Sequence, residues 1–267
     1  MKHAVLFATL LLAACGSDMT SGPSTPDAAP LMVTNVTASP TSDTTWSGTV
    51  RVQASIKIPP GVTVTMAPGS TLQVASAAEI DVYGTLALAG VKGSTITVEG
   101  LASDAWRGMV VLSGGTVTMN YVELTGAIIT VETGGAMTVR DSELSEANGG
   151  DLLTSTGGNV DVQYSWLGRP AGQTDSTHCD LHFEGGGPTI TVSHSNISTA
   201  VYGVMFYTGT GADFTNNNWF GNQIQVDLTT AVTGDFSNGW FDKHPPSGSG
   251  ITANNLAPAM IADAGPR

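Results

Sequence analysis

Apolar and polar positions alternate in short runs along most of this chain. Val117 and Met119, Met137 and Val139, Val160 and Val162, and Ile190 and Val192 are each separated by one polar residue. A period of two sends one side chain in and the next out, as in a half-buried strand, whereas a helix repeats every 3.6 residues. The runs also resemble one another. TVTMNYVEL starts at Thr116, AMTVRDSEL at Ala136, NVDVQYSWL at Asn159, TITVSHSNI at Thr189, GADFTNNNWF at Gly211 and TGDFSNGWF at Thr233. A second alternating run precedes or follows each of them: Val110 and Leu112, Ile129 and Val131, Leu181 and Phe183, Met205 and Tyr207, Val226 and Leu228. Glycines join many of the pairs, as at Gly114-Gly115 and Gly134-Gly135, where freedom at positive φ lets the chain turn sharply. No segment after the first fifteen residues sustains a helical apolar period.

Two or three short strands in each repeat of about 22 residues form a unit that buries its apolar face only against a neighbour. The repeat is too short for a four-stranded propeller blade, and a sandwich would not keep so regular a register. The pattern therefore predicts an all-β fold, a parallel β-helix (solenoid) of about nine rungs in a single domain, with equivalent strands of successive rungs ~4.8 Å apart. The expected organisation is an export signal over residues 1–15, a flexible Gly/Ser/Thr/Pro tether over 16–44, the solenoid over 45–242, and a C-terminal cap or tail over 243–267.

IPPGVTVTMAPGSTLQV from Ile58, EIDVYGTLALAG from Glu79, STITVEG from Ser94 and WRGMVVL from Trp106 resemble the opening rungs of right-handed parallel β-helix proteins of the pectate-lyase-like superfamily. FTNNNWFGN at Phe214 is similar to their asparagine-bearing turns, and the resemblance covers residues 46–262. It implies a right-handed coil. It implies no single activity, because that superfamily hosts lyases, hydrolases, adhesins and proteins of no known activity.

The chain opens MKHAVLFATLLLAAC. Lys2 and an apolar run from Ala4 to Ala14, too short to span a bilayer, form an export signal. Its end, Leu12-Ala13-Ala14-Cys15, resembles a bacterial lipoprotein lipobox. The resemblance implies cleavage before Cys15, diacylglyceryl and palmitate-type acylation there, and a lipid-anchored place in the cell envelope. Several acyl chains give stable anchoring. Gly16, rather than Asp, after the cysteine points to the outer membrane by analogy with Gram-negative sorting. GSDMTSGPSTPDAAP follows and lacks the apolar content to fold.

Charge narrows the partners. The net charge is −13 with only nine Lys and Arg, so no basic stripe is available to replace phosphate counterions, and nucleic acid is excluded. Polyanionic glycans are repelled over much of the surface as well, which leaves neutral glycans, cationic ligands, divalent metals and protein partners. The second of the two cysteines, Cys179, has no partner once Cys15 is lipidated. Alternation places it inward beside Leu181 and Phe183.

Three groups of residues carry candidate chemistry. His178, Asp180, His182 and Glu184 share one parity, and alternation puts all four on the outward edge of a strand, with His194 in the next run. Same-side residues lie ~6.5–7 Å apart along a strand, so imidazoles and carboxylates at this spacing suit a divalent metal or a general acid–base pair. The repeat that carries them is also the longest, with an inserted loop, Gly168 to Thr177, that brings Arg169 close in sequence. A catalytic set would be His178, Asp180, His182, Glu184 and Arg169. A metal set would be His178, His182, Asp180, Glu184 and His194. The second group is an outward column of Asp161, Asp213 and Asp235 in one sheet with Asn216, Asn217, Asn218 and Asn238 at a turn. Such an oxygen-rich set can hold Ca²⁺, and the preferred reading is stacked asparagines bonded to one another and to the backbone. The third is Tyr121, Tyr164 and Trp166, whose outward parity suits a sugar or a partner protein.

No HExxH, CxxC or phosphate-binding glycine loop occurs, nor do the NTD and GHG signatures of polygalacturonase-like enzymes. The expected function is a lipid-anchored, non-catalytic binding or structural module without a required cofactor, touching glycan or an envelope protein. The alternatives are a carbohydrate-active enzyme of lyase or hydrolase type and a metal-binding lipoprotein.

Overall fold

A computed structural model describes residues 33–267, and Cys15 with most of the expected tether lies outside the described residues. The described chain is all-β, with three long parallel sheets of ten, ten and eight strands. Each turn of the coil runs through all three. Gly108–Val111 in the third sheet leads to Thr116–Asn120 in the second and Val122–Thr125 in the first, and the chain returns to the third at Ile129–Glu132. This is the parallel β-helix that the repeat predicts. Register is kept from rung to rung: Leu86 pairs with Val117, Val117 with Met137, and Met137 with Val160.

The coil reaches further at both ends than the expected span. Val33–Val36 pairs with Thr49–Val52 inside the segment read as tether. Ile251–Thr252 pairs with Gly234–Asp235 inside the segment read as cap. Both strands take up backbone groups of a terminal rung that would otherwise stand as an open edge.

Inward positions of the early rungs are aliphatic: Val64, Met66, Leu72, Leu86, Leu88 and Val98 are fully buried. After Trp166 the filling changes. Phe183, Phe206, Phe214, Phe236 and Trp219 are fully buried, with Phe214 stacked on Phe236 at 4.6 Å and Trp219 parallel to Phe241 at 5.9 Å.

The second sheet meets the first through a tight bend whose leading residue is left-handed: Tyr121, Asp141, Tyr164, His194, Asn216 and Asn238 have φ between 47° and 60°. The next residue points inward and forms a ladder. The Val122 N–H donates to Ser142 Oγ (3.0 Å), Ser142 N–H to Ser165 Oγ (3.3 Å), Ser165 N–H to Ser195 Oγ (3.1 Å) and Ser195 N–H to Asn217 Oδ1 (2.8 Å). Each rung thereby satisfies a buried donor of the rung below it. The asparagines follow the structural reading: Asn218 Nδ2 donates to Asn196 Oδ1 at 2.8 Å.

The tail does more than close the end. After Ile251–Thr252 it runs back along these bends. Ile261 N–H donates to Asn218 Oδ1 (2.8 Å), Gly265 N–H to the His194 carbonyl (2.8 Å), and the Arg267 guanidinium to both Asp141 oxygens (2.8 and 3.0 Å). Gly265 has φ +106°, and a Cβ there would stand 2.6 Å from Asn196 Nδ2, so glycine is what lets the strap lie close.

Candidate functional site

The inserted loop and the strands around it set the site. Asp151–Thr156, Cys179–Phe183 and Tyr202–Phe206 are neighbours in the third sheet, with Asp151 opposite Cys179 and Cys179 opposite Tyr202. Strict alternation fails on these strands. Leu152 and Leu153 are both buried, as are Asp180 and Leu181, and Gly203 and Val204 continue the pattern. The kink moves the first residue of each strand to the outer side and the second to the inner side.

Two expectations fall with it. Asp180 is not on the outward edge: it is wholly buried, in the column of Leu152 and Gly203. Cys179 is free and wholly buried, as expected, but it lies outside the core cluster that holds Leu181 and Phe183. Its Sγ lies 3.2 Å from His178 Nδ1 and 3.0 Å from Met205 Sδ. Leu152-Leu153, a doubled apolar pair one rung earlier, is the signal in the sequence that marks the change of parity.

The outward cluster centres on Asp151, a residue the alternation did not bring forward. His178 Nδ1–H donates to Asp151 Oδ1 (3.0 Å) and His182 Nδ1–H to Asp151 Oδ2 (2.6 Å). One carboxylate thus orients two imidazoles through the same ring atom. Burial pushes the Asp151 carboxyl up, but hydrogen bonds from His178, His182 and Cys179 outweigh it and hold the group below its ordinary value. Burial, then Asp151, pushes the Cys179 thiol well up. His182 Nε2 is buried without a hydrogen-bond partner, and Glu184 stands 3.7 Å away. Tyr202 and Tyr207 present ring contacts to His178 and His182 at 5.3 and 5.6 Å. The Tyr207 hydroxyl donates to Asp227 (2.7 Å), which with burial pushes its pKa up to about 12.

The remaining predicted residues lie elsewhere. His194 sits at the bend between the second and first sheets, stacked on Tyr164 at 4.8 Å, and does not reach the third-sheet cluster. Arg169 pairs with Glu146 at 3.1 Å. Both line a cavity of about 380 Å³ walled by the inserted loop, together with Glu99, Asp104 and Ser176. The histidines are not part of that wall, so the loop cavity and the imidazoles are separate features.

Asp180, inside, backs onto Gly168 and Ser198. A Cβ on Gly168 (φ +94°) would stand 1.7 Å from the Ser198 carbonyl and 3.1 Å from Asp180 Oδ1. Neither carboxyl oxygen has a partner of hydrogen-bonding geometry. Burial, then the charge of Asp175, pushes the group well above the usual carboxylate range, and the Ser198 backbone opposes this only in part.

Of the three aromatics, Tyr164 lies between His194 and the Arg267 guanidinium, 3.7 Å from its ring centre. Tyr121 shares its bend column. Trp166 is half-buried, donates from Nε1 to Ser198 Oγ (2.8 Å) and meets Phe220 edge-on at 6.0 Å. The tail therefore already uses part of the expected contact surface.

A wider surface lies on the second sheet. Thr63 and Thr65, Thr85 and Ala87, Thr116 and Thr118, and Ala136 and Thr138 occupy matched outward positions on four successive rungs. All eight are half-exposed. Strand geometry spaces them ~4.8 Å across rungs and ~6.5–7 Å along them. They make a flat grid of hydroxyls and methyls without charge.

No protein-family model, curated protein or solved structure matches this chain.

Proposed function

We propose that this chain is a lipid-anchored, non-catalytic binding module of the bacterial cell envelope that holds a neutral glycan against its second sheet. The observation that supports this best is the uncharged threonine grid at Thr63, Thr65, Thr85, Thr116, Thr118 and Thr138 in a chain of net charge −13. Hydroxyls at fixed spacing on a stiff sheet offer hydrogen bonds to sugar hydroxyls with little ordering cost. Acylation at Cys15 and outer-membrane sorting complete the reading, as does a right-handed coil of the pectate-lyase-like kind.

The lyase or hydrolase alternative is weaker. Arg169 is engaged by Glu146, Asp180 is inside, and the loop cavity does not meet His178 and His182.

The full chain in detergent, immobilised through its lipid, should retain neutral envelope polysaccharide and lose it when Thr118 and Thr138 are both changed to Lys. Retention unaffected by that change, or retention of an envelope protein without any glycan, would overturn the glycan assignment. Cys15→Ser should release the chain from membranes, and continued acylation of that variant would overturn the anchor.

A further inference from the structure

Soft donors converge at one point of the third sheet. Cys179 Sγ lies 3.0 Å from Met205 Sδ and 3.2 Å from His178 Nδ1. Asp151 Oδ1, His178 Nδ1 and Cys179 Sγ all lie within 4.8 Å of one another. These atoms come from three adjacent strands or their edges, so the hydrogen-bonded sheet fixes their separation. In a tetrahedral or trigonal site with metal–sulfur bonds of ~2.3 Å and metal–nitrogen bonds of ~2.0 Å, donors stand roughly 3.5 Å apart. The sulfur–nitrogen pair needs adjustment by only a few tenths of an ångström. The two sulfurs must open from 3.0 Å to ~3.8 Å, a shift of about 0.8 Å that rotation of the flexible Met205 side chain supplies. His178 supplies an entry path, since 43% of its side chain is exposed.

We infer that Cys179, Met205 and His178 form a copper(I) site, with Asp151 as the positioning residue. A thiol and a thioether together select a soft monovalent ion, whereas zinc has little use for a methionine sulfur. Binding forms a copper–thiolate bond as the Cys179 S–H bond breaks, and the thiol proton leaves to solvent. In the metal-free chain the His178 proton sits on Nδ1, held by Asp151 Oδ1. On binding it is lost to solvent, Nε2 takes one up, and the freed Nδ1 ligates the ion. Asp151 retains the second imidazole, His182, through its other oxygen and places a negative charge beside the cation. The metal set expected from alternation is thus redrawn: of its members only His178 remains a ligand, His182, Asp180, Glu184 and His194 leave it, and Cys179 and Met205 enter with Asp151 beside them. The site depends on the third sheet alone, so its failure leaves the threonine grid and the lipid anchor untouched.

The test titrates the reduced full chain with copper(I) under oxygen-free conditions against a chromogenic copper(I) chelator. One ion per chain should be withheld from the chelator. Cys179→Ser, Met205→Leu and the surface variant His178→Ala should each weaken retention by at least the ~10–100-fold typical of losing an orienting partner. His194→Ala should change nothing. Melting of each variant without metal separates loss of a ligand from loss of the fold. No retained copper(I), or equal retention by the Cys179 and His178 variants, would overturn the site. Preferential zinc(II) binding that ignores Met205→Leu would overturn the copper assignment.

Discussion

The rungs before Gly108 and those after Trp166 build the same coil from different materials. The early rungs are chiefly aliphatic inside, with Trp46 and Trp106 the buried aromatics, and keep strict alternation: Thr63–Met66, Thr71–Val74 and Thr85–Ala89 each alternate half-exposed with buried. The late rungs carry stacked aromatics, buried serines and asparagines, an inserted loop and a kinked third sheet. Mostly aliphatic filling keeps the alternation regular, and it leaves matched half-exposed columns on the outer face. Once polar groups and rings enter the core they need specific partners, and the backbone bends to supply them. The candidate chemistry of this protein gathers where that regularity gives way.

The widest test of the contrast is a pair of truncations, one in each region. Phe214→Ala removes a ring that meets Phe183, Phe206, Phe236 and Trp219 and should cost about 3–5 kcal/mol. Leu86→Ala in an aliphatic rung should fall lower in the range of about 2–5 kcal/mol. Chemical unfolding of both variants measures the difference, and equal losses would mean that the aromatic stack adds nothing to ordinary filling.

A smaller effect is expected in the polar ladder. Asn217→Ala leaves the buried Ser195 N–H without its acceptor and should cost roughly 1–3 kcal/mol. Asn217→Ser copies the serine rungs at Ser142, Ser165 and Ser195 and should recover most of the loss. Absence of recovery would show that the asparagine acts through its Nδ2 bonds to the Val192 and Phe214 carbonyls instead.

The smallest change, and one of opposite sign, concerns Asp180. Its carboxyl titrates well above its unfolded value of ~3.9, so above that pH the native state holds a proton that the unfolded chain has released. Stability therefore falls as pH rises from the unfolded value to the folded one. Asp180→Asn should remove that slope and raise stability near neutral pH relative to the parent chain. The gain should shrink towards pH 4 in melting curves. A gain independent of pH would show that ionisation is not what Asp180 costs the fold.

The fold was legible because a solenoid repeats its instructions. Val117, Met137 and Val160 state the same inward position on successive rungs, and the repeat cannot bury them without stacking. The site was legible in part. The imidazoles His178 and His182 do face outward together, and the long repeat does carry a loop that walls a cavity. Asp151 escaped notice because it belongs to the preceding rung, 27 positions from His178, and only sheet register brings the two together. Asp180 was misplaced, and the buried Cys179 given the wrong neighbours, because alternation assumes an unkinked strand.

By itself, then, the sequence determined the all-β class, the parallel coil, most of the inward columns and the strongly acidic net charge. These follow from local periodicity and summed charge, which do not depend on how distant segments meet. Only the tertiary structure decided which carboxylate holds the histidines, that Cys179 faces Met205, that Asp180 is interior, and that the tail crosses the bends to reach Asp141. Each of these rests on contacts between different rungs, where a one-residue kink or a returning strap changes which atoms share a space.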